Sequence, residues 1–143
     1  LNDKMAKIVL ISCVSKKLPY KAKAKELYIS TLFKYNLKYA RSLSPDKIFI
    51  LSAKYGLVDL EKKIEPYDKT LSNMPSKEIR KWADCVIGQI KKEADMKEDE
   101  FVFLVGEKYR KYLLPQILNY QIPLEGLKIG EQLQYLKMRC SNE

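Results

Sequence analysis

Three unbroken apolar runs punctuate the chain: Lys7-Ile8-Val9-Leu10-Ile11-Ser12, Lys47-Ile48-Phe49-Ile50-Leu51-Ser52 and Phe101-Val102-Phe103-Leu104-Val105. Each is five or six residues long and does not alternate with polar positions, as expected of a strand buried on both faces. Between them the apolar positions recur at helical spacing. Ala24, Leu27, Tyr28, Leu32, Tyr35 and Tyr39 predict one amphipathic helix over 24–41, with Lys25, Lys34 and Lys38 on its other face and Ser44-Pro45-Asp46 stopping it. Ile79, Trp82, Ala83, Val86, Ile87 and Ile90 predict a second helix over 76–92, capped by Ser76, with Trp82 in the core. Residues 107–114 read as a short helix with Tyr109, Tyr112 and Leu113 facing in, bent or ended near Pro115. Residues 122–127 read as a strand or loop, and 130–138 as a last helix with Leu133 and Leu136 inward. A turn at Gly56 calls for positive φ, and the acidic stretch 95–100 for a surface loop. Strands alternating with helices predict an α/β fold: a single layered domain over 1–143 with a mainly parallel central sheet flanked by helices. No repeat or linker divides it.

Composition narrows the chemistry. Among 143 residues there is no histidine, which excludes Ser-His-Asp and Cys-His catalysis and histidine-based zinc sites. Cys13, Cys85 and Cys140 are odd in number and widely spaced, so neither a disulfide scaffold nor a zinc knuckle is expected, and a reducing, cytoplasmic setting fits. No membrane span, metal or cofactor is expected, and Met5 is a candidate natural start with residues 1–4 upstream of it. The net charge of +9 is uneven: residues 1–63 carry 14 basic against 5 acidic side chains, residues 64–143 carry 13 of each. The excess is densest over 15–25, with Lys16, Lys17, Lys21, Lys23 and Lys25 and not one acidic residue. Such a run reads as an anion-facing loop or as a solvated lysine-rich one.

In a layered α/β domain, the loops leaving the carboxyl ends of the strands line the ligand crevice. Three such segments carry small, cationic and tyrosine residues: Ser12-Cys13-Val14-Ser15-Lys16-Lys17, Ser52-Ala53-Lys54-Tyr55-Gly56-Leu57 and Gly106-Glu107-Lys108-Tyr109-Arg110. Backbone amides and lysines hold phosphate, tyrosine stacks on a base or sugar, and glycine admits close approach. No phosphate-loop or dinucleotide fingerprint is present, so ATP and NAD are not expected. Asp68, on a long connection with Tyr67 and Thr70, is the candidate general base, or else the acceptor of an Asx-type turn to Thr70. Cys13 reads as a nucleophile or sensor favoured by nearby lysines, or as a small packed residue. Lys54 reads as an anion ligand or a solvated side chain. Tyr55 and Tyr67, on loops, read as ligand-facing, whereas Tyr28 and Tyr109 read as packing. Gly56, Gly106, Gly126 and Gly130 are either close-approach positions or turn and cap residues.

The strings Ile11-Ser12-Cys13-x-x-Lys16-Lys17, Ala24-x-Glu26-Leu27-Tyr28, Leu51-Ser52-Ala53-Lys54-Tyr55-Gly56-Leu57 and Ile64-Glu65-Pro66-Tyr67-Asp68-x-Thr70-Leu71 together resemble a small bacterial and phage domain family of unknown function, with members labelled YaaA-like peroxide stress proteins. Gly106-x-x-Tyr109 and Pro123-Leu124-x-Gly126-Leu127-x-Ile129-Gly130-x-Gln132-Leu133 are similar to the same family, which adds Gln132 to the binding positions. The resemblance implies a cytoplasmic protein associated with DNA under oxidative stress. Ser12 to Tyr20 is distantly similar to archaeosine-synthase-type domains, whose fold is similar to uracil-DNA glycosylases. The expectation is therefore a nucleotide- or nucleobase-handling protein that cleaves or exchanges a glycosidic bond, with Asp68 as base and Ser12, Lys16, Lys17, Ser52 and Lys54 among its ligand contacts. The alternatives are a non-catalytic nucleic-acid-binding or stress-response module, and a thiol sensor at Cys13.

Overall fold

The computed structural model describes residues 5–13 and 16–140. In chain order the elements are β1 (Lys7–Ser12), β2 (Ala22–Lys23), α1 (Ala24–Leu27), α2 (Thr31–Ser42), β3 (Lys47–Ser52), β4 (Gly56–Asp59), β5 (Lys63–Ile64), α3 (Ser76–Lys91), β6 (Glu100–Leu104), α4 (Glu107–Arg110), β7 (Asn119–Gln121) and α5 (Ile129–Cys140). The fold is α/β. The three apolar runs form the centre of a five-stranded sheet ordered β4-β3-β1-β6-β7, and β2 pairs with β5 in a small second sheet. β1 runs parallel to both β3 and β6, with Val9 opposite Ile48 and Val102. β7 is parallel to β6, and only β4, which folds back on β3, is antiparallel.

Because side chains alternate across a strand, each central strand feeds two cores. Ile8, Leu10, Phe49, Leu51, Phe101 and Phe103 pack on the α3 side with Trp82 and Val86. Val9, Ile11, Ile50, Val102 and Leu104 pack on the other side with Phe33, Leu37 and Ala40 of α2 and Leu136 and Cys140 of α5. A strand loaded on both faces needs the continuous apolar run that the sequence carries there.

Several sequence expectations need correction. The helix expected over 24–41 is broken at residues 28–30. Tyr28 bridges Lys17, the Ile29 amide donates to the Lys16 carbonyl at 3.0 Å, and Ser30 caps the restarted helix by accepting from the Phe33 amide at 3.1 Å. In α3 the N-cap is Pro75, with no side-chain cap bond, and Ser76 is already helical. The helix after Gly106 ends at Arg110, and Pro115 lies in a separate 3₁₀ turn at Leu114–Gln116. Residues 122–127 are not a strand; the added edge strand is β7, just before them. The connection after Gly56 is partly ordered into β4 and β5. Gly56 does take positive φ, +73°, and a Cβ there would strike the Gln89 side chain. Gln89 pins this turn from α3, its Oε1 accepting from the Leu57 amide at 2.8 Å and its Nε2 donating to the Tyr55 carbonyl at 3.3 Å. Among the described residues, no helix is long and apolar enough to cross a membrane.

Candidate functional site

From β1 the chain passes through α2 to β3 on one side, then through α3 to β6 on the other. The strand order therefore reverses between β1 and β6, and such a switch point opens a crevice at the carboxyl ends of the two strands. Ser12 ends β1 and Gly106 follows β6; they meet there, the Gly106 amide donating to Ser12 Oγ at 3.3 Å. A cavity of about 360 Å³ opens beside them, lined also by Asn36, Glu107, Arg110, Gly126 and Gln132. Leu32, Phe103, Leu124 and Leu127 give it apolar walls. The Arg110 guanidinium is anchored through Nη1 to the Val105 carbonyl at 2.8 Å, and Gln132 Nε2 donates to the Leu127 carbonyl at 2.9 Å. Asn36 is almost wholly buried, and its Oδ1 has no hydrogen-bond partner among the described residues. Gly126 turns the wall segment at φ +81°.

On the other flank of β1, towards β3, a cluster of hydroxyls is joined into a network. Ser52 Oγ accepts from the Lys54 and Tyr55 amides at 3.2 and 3.0 Å and donates to the Tyr67 hydroxyl at 2.8 Å. Tyr67 and Tyr28 share a 2.6 Å hydrogen bond, and Cys13 Sγ donates to the Tyr109 hydroxyl at 3.6 Å. The Lys17 ammonium lies 4.5 Å from the centre of the Tyr67 ring, a cation–π distance. Tyr109 packs its ring edge-on against Trp82, 5.5 Å between centres, and Trp82 Nε1 donates to the Ser52 carbonyl at 2.9 Å. Burial pushes the hydroxyls of Tyr28, Tyr67 and Tyr109 above their ordinary value, and the neighbouring Cys13 adds to the rise in each.

The structure thus brings Ser12, Gly106, Gly126 and Gln132 to the crevice, and Cys13, Lys17, Ser52 and Tyr67 to the cluster. Tyr67, read from sequence as ligand-facing, has its hydroxyl turned inward. Lys54, Tyr55 and Gly56 line a separate groove on the α3 side with Lys69 and Lys81. Tyr55 hydroxyl donates to the Glu65 carbonyl at 3.3 Å. Asp68 is exposed on the loop after β5, and Thr70 caps the following 3₁₀ turn by accepting from the Ser72 amide at 3.2 Å. Lys16 is exposed, and Gly130 sits in the first turn of α5 with open space at its Cβ position. Val14 and Ser15 of the segment after β1 lie outside the described residues, as do residues 1–4. Among the described residues no cluster of metal-ligating side chains is present.

Sequence reasoning missed Asn36, Glu107 and Arg110 as site residues. Asn36 carried a legible signal: it falls one turn from Leu32 and close to one from Tyr39, a polar residue on an apolar stripe. Glu107 and Arg110 fall inside the segment after the third strand that the sequence singles out, but a charged pair there reads as solvated surface, and neither is assigned a role.

The chain matches the model of a family of unknown function, DUF6884, over residues 8–138. It belongs to that family. No curated protein and no solved structure matches it.

Proposed function

We propose that this domain binds a nucleotide or nucleobase in the crevice between β1 and β6 and acts on its glycosidic bond by cleavage or base exchange. The observation that carries this reading is the convergence of three separate chain segments, at Ser12, Gly106 to Arg110 and Leu124 to Gln132, on one concave cavity at the switch point of the sheet. Its volume, about 360 Å³, falls in the range of small-molecule sites, and its makeup of apolar walls with a few polar groups suits a flat heterocycle. In cleavage the carboxylate takes a proton from the attacking water as the C1′–N bond breaks and returns it to the departing base, and in exchange it takes that proton from the incoming base instead. Glu107 is the carboxylate in the cavity lining; Asp68 would have to reach it from its exposed loop.

A thermal-shift screen with free bases, nucleosides, nucleotides and short DNA tests the reading. A ligand at about 100 times its Kd should stabilise the native state by about 2.7 kcal/mol. Gly106 has φ −67° and nothing near its Cβ position, so Gly106→Trp should fold normally while filling the crevice and abolishing the shift. Absence of any base-containing ligand from the hits, or an undiminished shift in Gly106→Trp, overturns the proposal.

One observation favours a second reading, a non-catalytic nucleic-acid-binding module of the kind the peroxide-stress resemblance implies. Lys34, Lys38 and Arg41 line a groove along α2, on the flank away from Asn36. A duplex bound there should lose affinity with salt at a slope near −0.9 for each phosphate contact, while a base bound in the crevice should respond weakly.

A further inference from the structure

Asn36 stands out in α2. The helix turns Phe33, Leu37, Tyr39 and Ala40 inward, and Asn36 is buried as deeply as they are, at 3% exposure. Its Oδ1 is the one buried side-chain oxygen or nitrogen among the described residues without a hydrogen-bond partner. A carboxamide left dry in this way is less favourable than a leucine of similar size, because the water it gave up is not replaced. Buried polar atoms of this kind call for a partner that arrives from elsewhere. Asn36 and Leu32, one turn apart on the same face, both line the β1–β6 crevice; Oδ1 itself is closed off from solvent, so a molecule in the crevice supplies that partner once the carboxamide turns about χ2.

We infer that Asn36 reads the ligand, and that the ligand is a flat heterocycle presenting an N–H donor directly beside a hydrogen-bond acceptor. A carboxamide offers C=O and NH₂ side by side and matches such an edge two for two, which a hydroxyl or an ammonium does not. Leu32, Phe103, Leu124 and Leu127 supply apolar surface for the ring faces. Gln132, held through its Nε2 by the Leu127 carbonyl, is a second carboxamide in the crevice lining. Asn36 is on this account a specificity-determining residue; it does not move a proton. The inference rests on the nucleobase reading above and narrows it to the bases' donor–acceptor edge.

Calorimetric titration of the full chain with hypoxanthine, guanine and uracil, each paired with the derivative methylated at its ring N–H beside the carbonyl (N1 of the purines, N3 of uracil), tests it. In the unsubstituted protein a base that binds should lose about tenfold or more in affinity when its donor is methylated, as for one bidentate base contact. Asn36→Leu should lose a similar factor for the parent base and cease to distinguish it from the methylated form. Equal binding of parent and methylated bases overturns the inference and leaves the nucleobase reading standing. Discrimination that survives Asn36→Leu also overturns it, since another residue then reads the edge. If none of the bases, nor their nucleosides or nucleotides, binds the unsubstituted protein, the nucleobase reading itself fails. The methylation comparison uses the unsubstituted chain, so a poorly folding variant does not blunt the test.

Discussion

The two flanks of β1 are built from similar materials and finished differently. Towards β3, Ser52, Tyr67 and Tyr28 form a chain in which each hydroxyl has a protein partner. Towards β6, Asn36 is buried with its acceptor unmet, beside an open cavity. A satisfied buried network fixes loops against one another and contributes to stability, whereas an unsatisfied one gives up stability that a ligand can restore. The hydroxyl cluster thus holds the loops after β1, β3 and β5 in place, and the crevice beside it is left open. Residues with the look of chemistry, tyrosines and a cysteine, fall mostly on the side that is already internally paired.

The sharpest way to break this contrast is Ser52→Ala. It takes the acceptor from two backbone amides and leaves the Tyr67 hydroxyl with Tyr28 alone, and should cost about 3 kcal/mol in urea unfolding. A loss no larger than that of an exposed serine would show that the network is not structural.

Tyr67→Phe should cost less, about 1 to 2 kcal/mol, because the ring's packing stays and only the hydroxyl is lost. It should also alter the alkaline limb. Burial raises the Tyr67 hydroxyl above its ordinary value of 10.0, so the unfolded chain releases a proton at a pH where the folded one keeps it. That contribution is fully present below pH 10 and is lost as pH rises beyond it. Phenylalanine removes the titrating group, so the variant's stability should fall less steeply in that range; an unchanged slope would contradict the burial argument.

On the crevice side the sign reverses. Asn36→Leu replaces an unpartnered carboxamide and should raise stability by about 1 kcal/mol, read as a higher urea midpoint. A destabilised variant would mean that Asn36 is satisfied in solution without a ligand.

The smallest effect lies away from both flanks. Lys25 and Lys23 approach Glu61 at 2.7 and 3.3 Å and hold its carboxyl below the ordinary value, Lys25 chiefly. Such a contribution exists above the usual carboxylate range and fades as pH falls through the lowered value. The site is exposed and screened, so Glu61→Gln should leave the neutral-pH midpoint within error.

The central strands and α3 were legible because continuous apolar runs and a 3.6-residue stripe are properties of neighbouring residues. The break near Ile29 was half legible: Ser30-Thr31 is a capping signal, but the 24–41 stripe runs through it, and the competing bonds come from Lys16 and Lys17. The site was legible at Ser12, Gly106, Gly126 and Gln132 as members of suggestive segments. Their division into two groups was not, because Ser12 and Cys13 are adjacent in sequence, yet Ser12 lines the crevice while Cys13 sits beside the hydroxyls of Tyr28, Tyr67 and Tyr109.

By itself the sequence determined an α/β layer with parallel central strands, a histidine-free chemistry and a basic amino-terminal half, all of which follow from composition and short-range periodicity. Only the tertiary structure decided the rest. It alone sets that β3 and β6 flank β1, that Tyr67 meets Tyr28 across 39 residues of chain, and that Asn36 is left without a partner. Hydrogen-bond satisfaction of a buried group depends on which distant segments fold against it, and no local pattern encodes that.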